Sequence, residues 1–354
     1  MDRAAIERLL GEAAPGLLAH RCQALPRGLL SPPGPDFLDR VTALSDRPPA
    51  VLRALATLFG HGRLGGTGYL SILPVDQAVL YGAGASFAPN PIYFDPERIA
   101  VLAHEAGSSA LLTTFGVLGA ISRRWAHKLP LILKLNHHQS LSHPPASDQT
   151  MFAPVDHAFD LGAVAVAATV YFGSAESGRQ LQEVRDAFAR AHELGLATIL
   201  FCYLRNDAFV TEEAGHHFDH HFAADLTGQA NHLGAALGAD LVKQKLPESS
   251  GGAHLPGYGK AVHVPAHLTG AHAIDRARFQ VMCAGAGRIP LINSGGPSGD
   301  ADLADAIRAA VINKRAGGVG LIAGRKAFQR PLAEGVALLH AIQSVYLCRE
   351  IDLA

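Results

Sequence analysis

The chain has 354 residues, 48% of them hydrophobic and 17% charged, which excludes a disordered or fibrous polymer and leaves a core-rich globular protein. A formal net charge of −1 argues against a polyanionic partner, so no nucleic acid is expected. Four scattered cysteines without a CxxC pair suit reduced thiols, and no run reaches the ~18 apolar residues that cross a bilayer, so the expectation is a cytoplasmic protein with no membrane partner.

The N-terminus, Met1-Asp2-Arg3-Ala4-Ala5-Ile6-Glu7-Arg8, carries early acids and no long apolar run, unlike a signal peptide. Residues 5–20 predict an amphipathic helix with Ile6, Leu9 and Leu10 on one face. Ser31-Pro32-Pro33-Gly34-Pro35-Asp36 breaks the chain, and Pro48-Pro49 precedes a second helix over 51–59. Residues 1–66 therefore read as a helical extension packed on a main domain, 67–346, with a tail at 347–354.

From Gly68 onward short apolar runs alternate with helical ones. The runs are 69–75, 109–115, 130–135, 163–171, 197–203, 239–243, 289–293 and 318–323. Between them, Asp95-Pro96 starts a helix with a cap and an N1 proline, and Gly107 ends it. Residues 176–193 form another, stopped at Gly195, and 302–315 and 331–346 two more. Continuous apolar strands separated by helices imply a parallel sheet covered on both faces. Eight such units over roughly 280 residues predict an α/β protein, a (β/α)8 TIM barrel with an N-terminal helical extension. An open doubly wound sheet would need a Gly-rich loop after the first strand, and Pro74-Val75-Asp76-Gln77 is not one. Longer inserts at about 205–224 and 246–271 follow strands five and six, on the end where barrel enzymes carry their chemistry.

Residues at the C-terminal ends of barrel strands converge on one place. Strand six, in Leu237-Gly238-Ala239-Asp240-Leu241-Val242-Lys243-Gln244-Lys245, organises the set. Alternation puts Ala239, Leu241, Lys243 and Lys245 on one face, and a lysine on the apolar face of a buried strand is costly unless the fold uses it. Desolvation and nearby positive charge favour the neutral amine, which can attack a ketone and form a Schiff base. Strand one ends in Asp76, strand three in Lys134 and Asn136, and strand five in Tyr203 with Phe201 on the same face. Tyr203 is placed to move protons, Asp76 to hold hydroxyls or assist dehydration of a carbinolamine, and Lys134 and Lys245 to add positive charge. Taken singly, each has an ordinary explanation: a snorkelling lysine, a wet strand tyrosine, a turn aspartate, a paired lysine. Together at successive strand ends they form a candidate site.

Asn293-Ser294-Gly295-Gly296-Pro297 follows strand seven and Gly324-Arg325 follows strand eight. Loops after these strands commonly hold a phosphate, because glycine lets backbone approach the anion and arginine supplies a fork of donors. Plain left-handed turns are the alternative. His216-His217-Phe218-Asp219-His220-His221 matches no zinc spacing, so it reads as part of the insert and no metal is expected.

With these motifs assembled, the chain resembles the archaeal-type (DhnA-like) class I fructose-bisphosphate aldolases, in their bacterial branch. The likeness runs from Arg47-Pro48-Pro49-Ala50-Val51-Leu52-Arg53 and Gly68-Tyr69-Leu70-Ser71-Ile72-Leu73-Pro74-Val75-Asp76-Gln77 to Leu133-Lys134-Leu135-Asn136-His137. It continues through Asp225-Leu226-Thr227-Gly228-Gln229-Ala230-Asn231-His232-Leu233 and strand six to Ile292-Asn293-Ser294-Gly295-Gly296 and Gly324-Arg325-Lys326-Ala327-Phe328. The resemblance implies reversible cleavage of fructose 1,6-bisphosphate to dihydroxyacetone phosphate and glyceraldehyde 3-phosphate, in glycolysis or gluconeogenesis, with no cofactor and no metal. It places the Schiff-base lysine on Lys243, the proton-transferring tyrosine on Tyr203 and the strand-one aspartate on Asp76. The phosphate grips fall on Ser294-Gly295-Gly296 and Gly324-Arg325, with Lys134 a candidate cation for the opposite rim. It also implies a homo-oligomer, often of five-fold or higher order. The chain departs from the family at Leu80-Tyr81, where an acid–histidine pair is usual, and at Phe201, where tryptophan is usual; Phe keeps the apolar wall but lacks the indole donor. A related Schiff-base aldolase or transaldolase on another phosphorylated ketose, an FMN-binding barrel oxidoreductase and a barrel scaffold without catalysis are the other readings.

Overall fold

A computed structural model of the chain describes residues 1–141, 147–213, 216–249, 251–252, 264–296, 298–299 and 301–354, with the backbone alone at 213 and 216. Pro297, the side chain of His216 and much of the insert after the sixth strand lie outside the described residues.

Eight strands form the sheet: β1 (Leu70–Val75), β2 (Ala110–Thr113), β3 (Leu131–Lys134), β4 (Ala165–Phe172), β5 (Ala197–Leu204), β6 (Leu241–Gln244), β7 (Leu291–Ser294) and β8 (Gly320–Ile322). Each pairs in parallel with the next, and β8 pairs back with β1 through Leu70 opposite Gly320, which closes the barrel. The expected (β/α)8 architecture is thus the one that forms, each predicted strand shifted by a residue or two at its ends. Closure depends on Gly320, where a Cβ would stand 2.0 Å from the Leu70 carbonyl oxygen.

Alternation along the strands separates two cores. Outward residues such as Leu73, Leu111, Leu133, Val166, Leu200, Val242 and Leu291 pack under the surrounding helices. Inward residues fill the barrel, with Leu70, Ile72, Ala110, Leu112, Ile132, Ala165, Ala167, Ile199, Leu241 and Ile292 at its lower levels. The helix Pro49–Gly60 joins this inner core through Val51, Leu55, Leu58 and Phe59 and closes the barrel's N-terminal mouth. Arg47, just before it, donates to Asp240 Oδ1 at 2.5 Å and to the Gly238 carbonyl at 2.7 Å, which fixes the helix to the start of β6.

Two expectations change. Residues 5–20 are not one helix: Arg3–Leu10 ends at Gly11, whose φ of +55° breaks it, a 3-10 turn spans Gly11–Ala13, and Ala14–Ala19 restarts with Pro15 in its first turn. Ala239 does not share the inner face with Leu241 and Lys243; it precedes β6 and packs in the outer core beside Val242. The C-terminal mouth carries two antiparallel ribbons, Asn136–His137 with Thr150–Met151 after β3, and Val210–Glu213 with His216–Asp219 after β5.

Candidate active site

The inner face changes character along the strands. On β6 the inward series runs Leu241 then Lys243, on β3 Ile132 then Lys134, on β5 Ile199, Phe201, Tyr203, and on β1 Ile72, Pro74, then Asp76 just past the strand. Apolar packing therefore gives way to ionisable groups at one level, below a cavity of about 550 Å³ at the C-terminal mouth. That volume is in the range of small-molecule sites. Asp76, Lys134, Phe201, Tyr203, Lys243, Ser294, Gly295, Gly296, Gly324 and Arg325 all line it, so one cavity gathers the site residues expected from the sequence.

Lys243 is 6% exposed and lies opposite Phe201 on β5 and Ile292 on β7. Its Nζ stands 3.8 Å from the centre of the Phe201 ring and 5.4 Å from that of Tyr203. The amine thus sits on an aromatic wall at the cavity floor, a place that suits a cation over a π-face or a neutral amine against apolar surface. The Tyr203 hydroxyl is 3.1 Å from Ser294 Oγ, which joins the ends of β5 and β7.

Asp76 stands where the helix Gln77–Tyr81 begins, yet its side chain makes no capping hydrogen bond, so the turn does not consume the carboxylate. It acts electrostatically on Lys134 and on His137. Lys134 is almost fully buried and is not turned to the rim: its Nζ donates to Asn136 Oδ1 at 2.9 Å and to the Asn136 carbonyl. Asn136 is itself held by β4, donating to Thr169 O at 2.8 Å and accepting from Thr169 N–H at 2.7 Å. Burial lowers the Lys134 amine to about 7, with Asp76 opposing the shift and Lys243 adding to it.

Other residues line the cavity beside these. Burial lowers His137 to about 4, helped by Lys134 and opposed by Asp76, so the ring is neutral near pH 7; its Nε2 is buried without a partner. Gln77 Oε1 and Gln149 Oε1 are likewise buried and unpartnered at the cavity wall. These three atoms lie at one cavity, where hydroxyl groups of a ligand would find acceptors or donors. Arg205, together with Lys245 expected from strand six, lies where β5 and β6 end, beside β7. Arg205 stacks 5.0 Å from the Tyr171 ring centre and Lys245 4.3 Å from that of Phe222. Burial lowers Lys245 to about 8, with Arg205 and Lys243 adding to the shift. Extending the alternation 201, 203, 205 past the end of β5 would have found Arg205. His137 and Gln149 gave no such signal, since the ribbon after β3 places them.

Next round the barrel from β6, at the ends of β7 and β8, the two Gly loops meet. A Cβ at Gly324 would stand 2.3 Å from the Pro74 carbonyl, and Gly296 has φ +79°, so each position needs glycine. The Gly295 N–H donates to Ile322 O at 2.8 Å, which ties the loop after β7 to β8. The Arg325 guanidinium lies 4.8 Å from the centre of the Tyr81 ring. The histidine-rich insert is held by local bonds: His221 pairs with Asp219 at 2.6 Å and accepts the Asn206 N–H at 3.2 Å, and His220 meets Thr211 at 3.0 Å.

Residues 70–330 match the DeoC/LacD family of aldolases. A Chlamydia pneumoniae protein described as a probable class 1 fructose-bisphosphate aldolase is 54% identical over 350 residues, 99% of each chain. A class 1 fructose-bisphosphate aldolase of Thermoproteus tenax is 28% identical over 260 residues, 73% of this chain and 83% of its own. Among solved structures, a fructose-bisphosphate aldolase from Slackia heliotrinireducens superposes with a TM-score of 0.71 at 20% identity over 88% of this chain and 91% of its own. A Schiff-base-forming fructose-1,6-bisphosphate aldolase does so at 0.64 and 24% identity, over 82% and 98%. These two agree with the barrel described above. By the extent of its match and its likeness to the chlamydial protein, the chain belongs to the DeoC/LacD family of aldolases.

Proposed function

We infer that the protein is a class I, Schiff-base aldolase, a metal-independent lyase that reversibly cleaves fructose 1,6-bisphosphate to dihydroxyacetone phosphate and glyceraldehyde 3-phosphate. The observation that carries this reading is the buried Lys243 amine on the Phe201 wall, with Tyr203 beside it, at the floor of a polar cavity. The Lys243 amine adds to the ketone carbon to give a carbinolamine, which loses water and becomes an iminium. The C4 hydroxyl proton passes to Tyr203, the C3–C4 bond breaks, and its electron pair moves into the iminium to give an enamine. Glyceraldehyde 3-phosphate leaves, C3 is reprotonated, and hydrolysis of the iminium frees dihydroxyacetone phosphate and the amine. The iminium is the electron sink, so the chemistry asks for no metal.

Asp76 and Lys134, coupled through their charges under the site, serve the proton transfers of carbinolamine formation and dehydration. His137, Gln77 and Gln149 present the unpartnered atoms that substrate hydroxyls would satisfy. One phosphate belongs to the loops after β7 and β8 with Arg325, and the other to Arg205 and Lys245 at the ends of β5 and β6, where a guanidinium fork and an ammonium line the same cavity. Lys134 is replaced in that last role by these two, since its amine is committed to Asn136. The family match leaves the FMN-barrel reading without support. A different phosphorylated ketose is the second reading, favoured by Leu80 and Tyr81 at the cavity wall, where the resembled family has other residues.

Trapping with borohydride decides the matter. Incubation with fructose 1,6-bisphosphate and borohydride should add one reduced triose or hexose phosphate to the peptide carrying Lys243, unaffected by EDTA, and Lys243→Ala should abolish both adduct and turnover. An adduct that persists in Lys243→Ala would place the chemistry on another amine.

We further read the barrel, 67–346, and the extension, 1–66, as one homo-oligomeric cytoplasmic enzyme of glycolysis or gluconeogenesis. The plug formed by Pro49–Gly60 supports the first part, and the family resemblance the rest. Among the described residues no helix is long and apolar enough to cross a membrane. Native mass spectrometry would give the subunit number directly.

A further inference from the structure

Asp302 opens the helix Asp302–Ala316 after β7 and is 3% exposed. Its two oxygens receive four donors. Oδ1 accepts from Lys326 Nζ at 2.6 Å and from the Gly299 N–H at 2.8 Å. Oδ2 accepts from Ser298 Oγ at 2.6 Å and from Arg330 Nη2. A carboxylate has about four acceptor sites, so this one is saturated within the protein. Burial alone would raise its pKa, but Lys326, Ser298 and Gly299 bring it below the usual carboxylate value.

The donors come from both phosphate loops. Ser298 and Gly299 continue the chain from Gly295-Gly296, Lys326 is the second residue of the short helix Arg325–Phe328, and Arg330 lies just past its end. The segment after β8 is tied in turn to the loop after β1, since Gln329 Nε2 donates to Ser86 O at 3.1 Å and Asn90 Nδ2 to Arg330 O at 2.6 Å. Lys326 and Arg330 do not line the cavity, whereas Arg325 does, resting on Tyr81. Asp302 therefore pairs with Lys326 and Arg330 away from the cavity while Arg325 faces it.

We propose that Asp302 is a positioning residue for substrate binding: one buried carboxylate clamps the loops after β7 and β8 at the spacing that a phosphate ester of the substrate requires. It touches neither substrate nor reacting atoms and acts through Ser298, Gly299 and Lys326. The proposal rests on the aldolase reading above and assigns it a determinant of phosphate affinity distinct from the Schiff-base machinery.

The test compares phosphorylated and unphosphorylated ligands in the full-length protein. Asp302→Asn keeps the shape and removes the charge. KM for fructose 1,6-bisphosphate and the inhibition constant of inorganic phosphate should both rise about tenfold or more, with kcat changed less than about threefold, the pattern of lost uniform binding. Borohydride trapping of Lys243 by dihydroxyacetone, which has no phosphate, should proceed at the wild-type rate. Unchanged KM and phosphate inhibition in a folded Asp302→Asn protein would overturn the proposal, as would an equal loss of trapping with dihydroxyacetone. If Asp302→Asn does not fold, Ser298→Ala removes one leg of the clamp and should raise both constants in the same direction, about threefold; no rise would overturn the proposal. Absence of trapping in the wild-type protein by either ketone would instead remove the aldolase reading on which the clamp depends.

Discussion

Lys134 is the residue whose placement says most about how the site is built. A lysine amine enclosed by the barrel, held on a side-chain oxygen and a carbonyl of Asn136, costs stability whenever it must carry a proton. Burial brings it from 10.5 to about 7, while in an unfolded chain it keeps its proton to about pH 10.4. Between those values the unfolded state binds more protons than the folded one, so this group makes the protein more stable as pH rises through the window. Below about 7 both states are protonated and the contribution is flat. Lys134→Met, which fills similar space without a charge, should remove that rise. Denaturant unfolding at about pH 6 and about pH 9 would show the wild-type protein gaining more stability than the variant over the interval. The same variant should lose activity by about 10²-fold or more if the amine serves proton transfer beside Asp76 and Lys243. A variant that keeps wild-type turnover would reduce Lys134 to a structural cation. Tyr203 offers a second test at this scale. Tyr203→Phe keeps the ring beside Lys243 and removes the hydroxyl that meets Ser294. It should lower kcat about 10²- to 10⁴-fold while Lys243 still traps dihydroxyacetone under borohydride. Loss of trapping to the same degree would mean that the hydroxyl is needed before carbon–carbon cleavage.

Elements divide the labour between closing the barrel and opening it. The helix Pro49–Gly60 seals the N-terminal mouth with Leu55, Leu58 and Phe59, against the strand starts that carry Leu70, Ala165 and Leu241. Leu58 is fully buried there, and Leu58→Ala should cost about 2–5 kcal/mol by creating a cavity, with KM unmoved because the site lies at the other end. Thermal unfolding with steady-state kinetics on the same preparation checks both halves; a KM change without loss of stability would contradict the division. The strands themselves were legible in the sequence because each is a short apolar run bounded by glycine, proline or helix, and a parallel sheet buried on both faces leaves no other pattern. Lys243, Tyr203 and Asp76 were legible for the same reason, since a polar residue that ends such a run has one place to go. What was not legible depends on partners distant in the chain or on the backbone between elements. Lys134 turns inward because Asn136 offers both its oxygens just after β3, and His137 is aimed by the ribbon with Thr150–Met151. Asp302 takes its cations from 24 and 28 residues downstream, a spacing that carries no local signal. The break at Gly11 was missed because the apolar period of residues 5–20 continues across it, and only the left-handed φ reveals the turn.

At the scale of the molecule, the two chain ends are fastened to the barrel by buried arginines. Arg278 is fully buried and donates through Nε to Ala316 O at 2.6 Å, through Nη1 to Leu25 O at 2.6 Å, and through Nη2 to Arg315 O at 3.0 Å and Ala354 O at 2.7 Å. Arg315, 1% exposed, donates to the carbonyls of Leu17, His20 at 3.0 Å and Asp352 at 3.1 Å. Burial lowers the pKa of each guanidinium, and the carbonyls supply the acceptors that a dry cation requires. The N-terminal extension, the C-terminal tail and the helices Ala273–Cys283 and Asp302–Ala316 are therefore one connected structure rather than a barrel with loose ends. Two consequences follow for unfolding. The extension should not melt separately, so calorimetry should show one transition with no earlier, smaller peak for residues 1–66. Arg278→Leu leaves four carbonyls without this donor and should cost about 3–5 kcal/mol, lowering the midpoint by roughly 5 °C or more in a chain of this size. Arg278 lines no part of the cavity, so kcat and KM measured well below that midpoint should match the wild type. A lower kcat with an unchanged midpoint would show that the staple acts on the chemistry, and a new low-temperature transition in the wild-type scan would show that the extension is a separate unit after all.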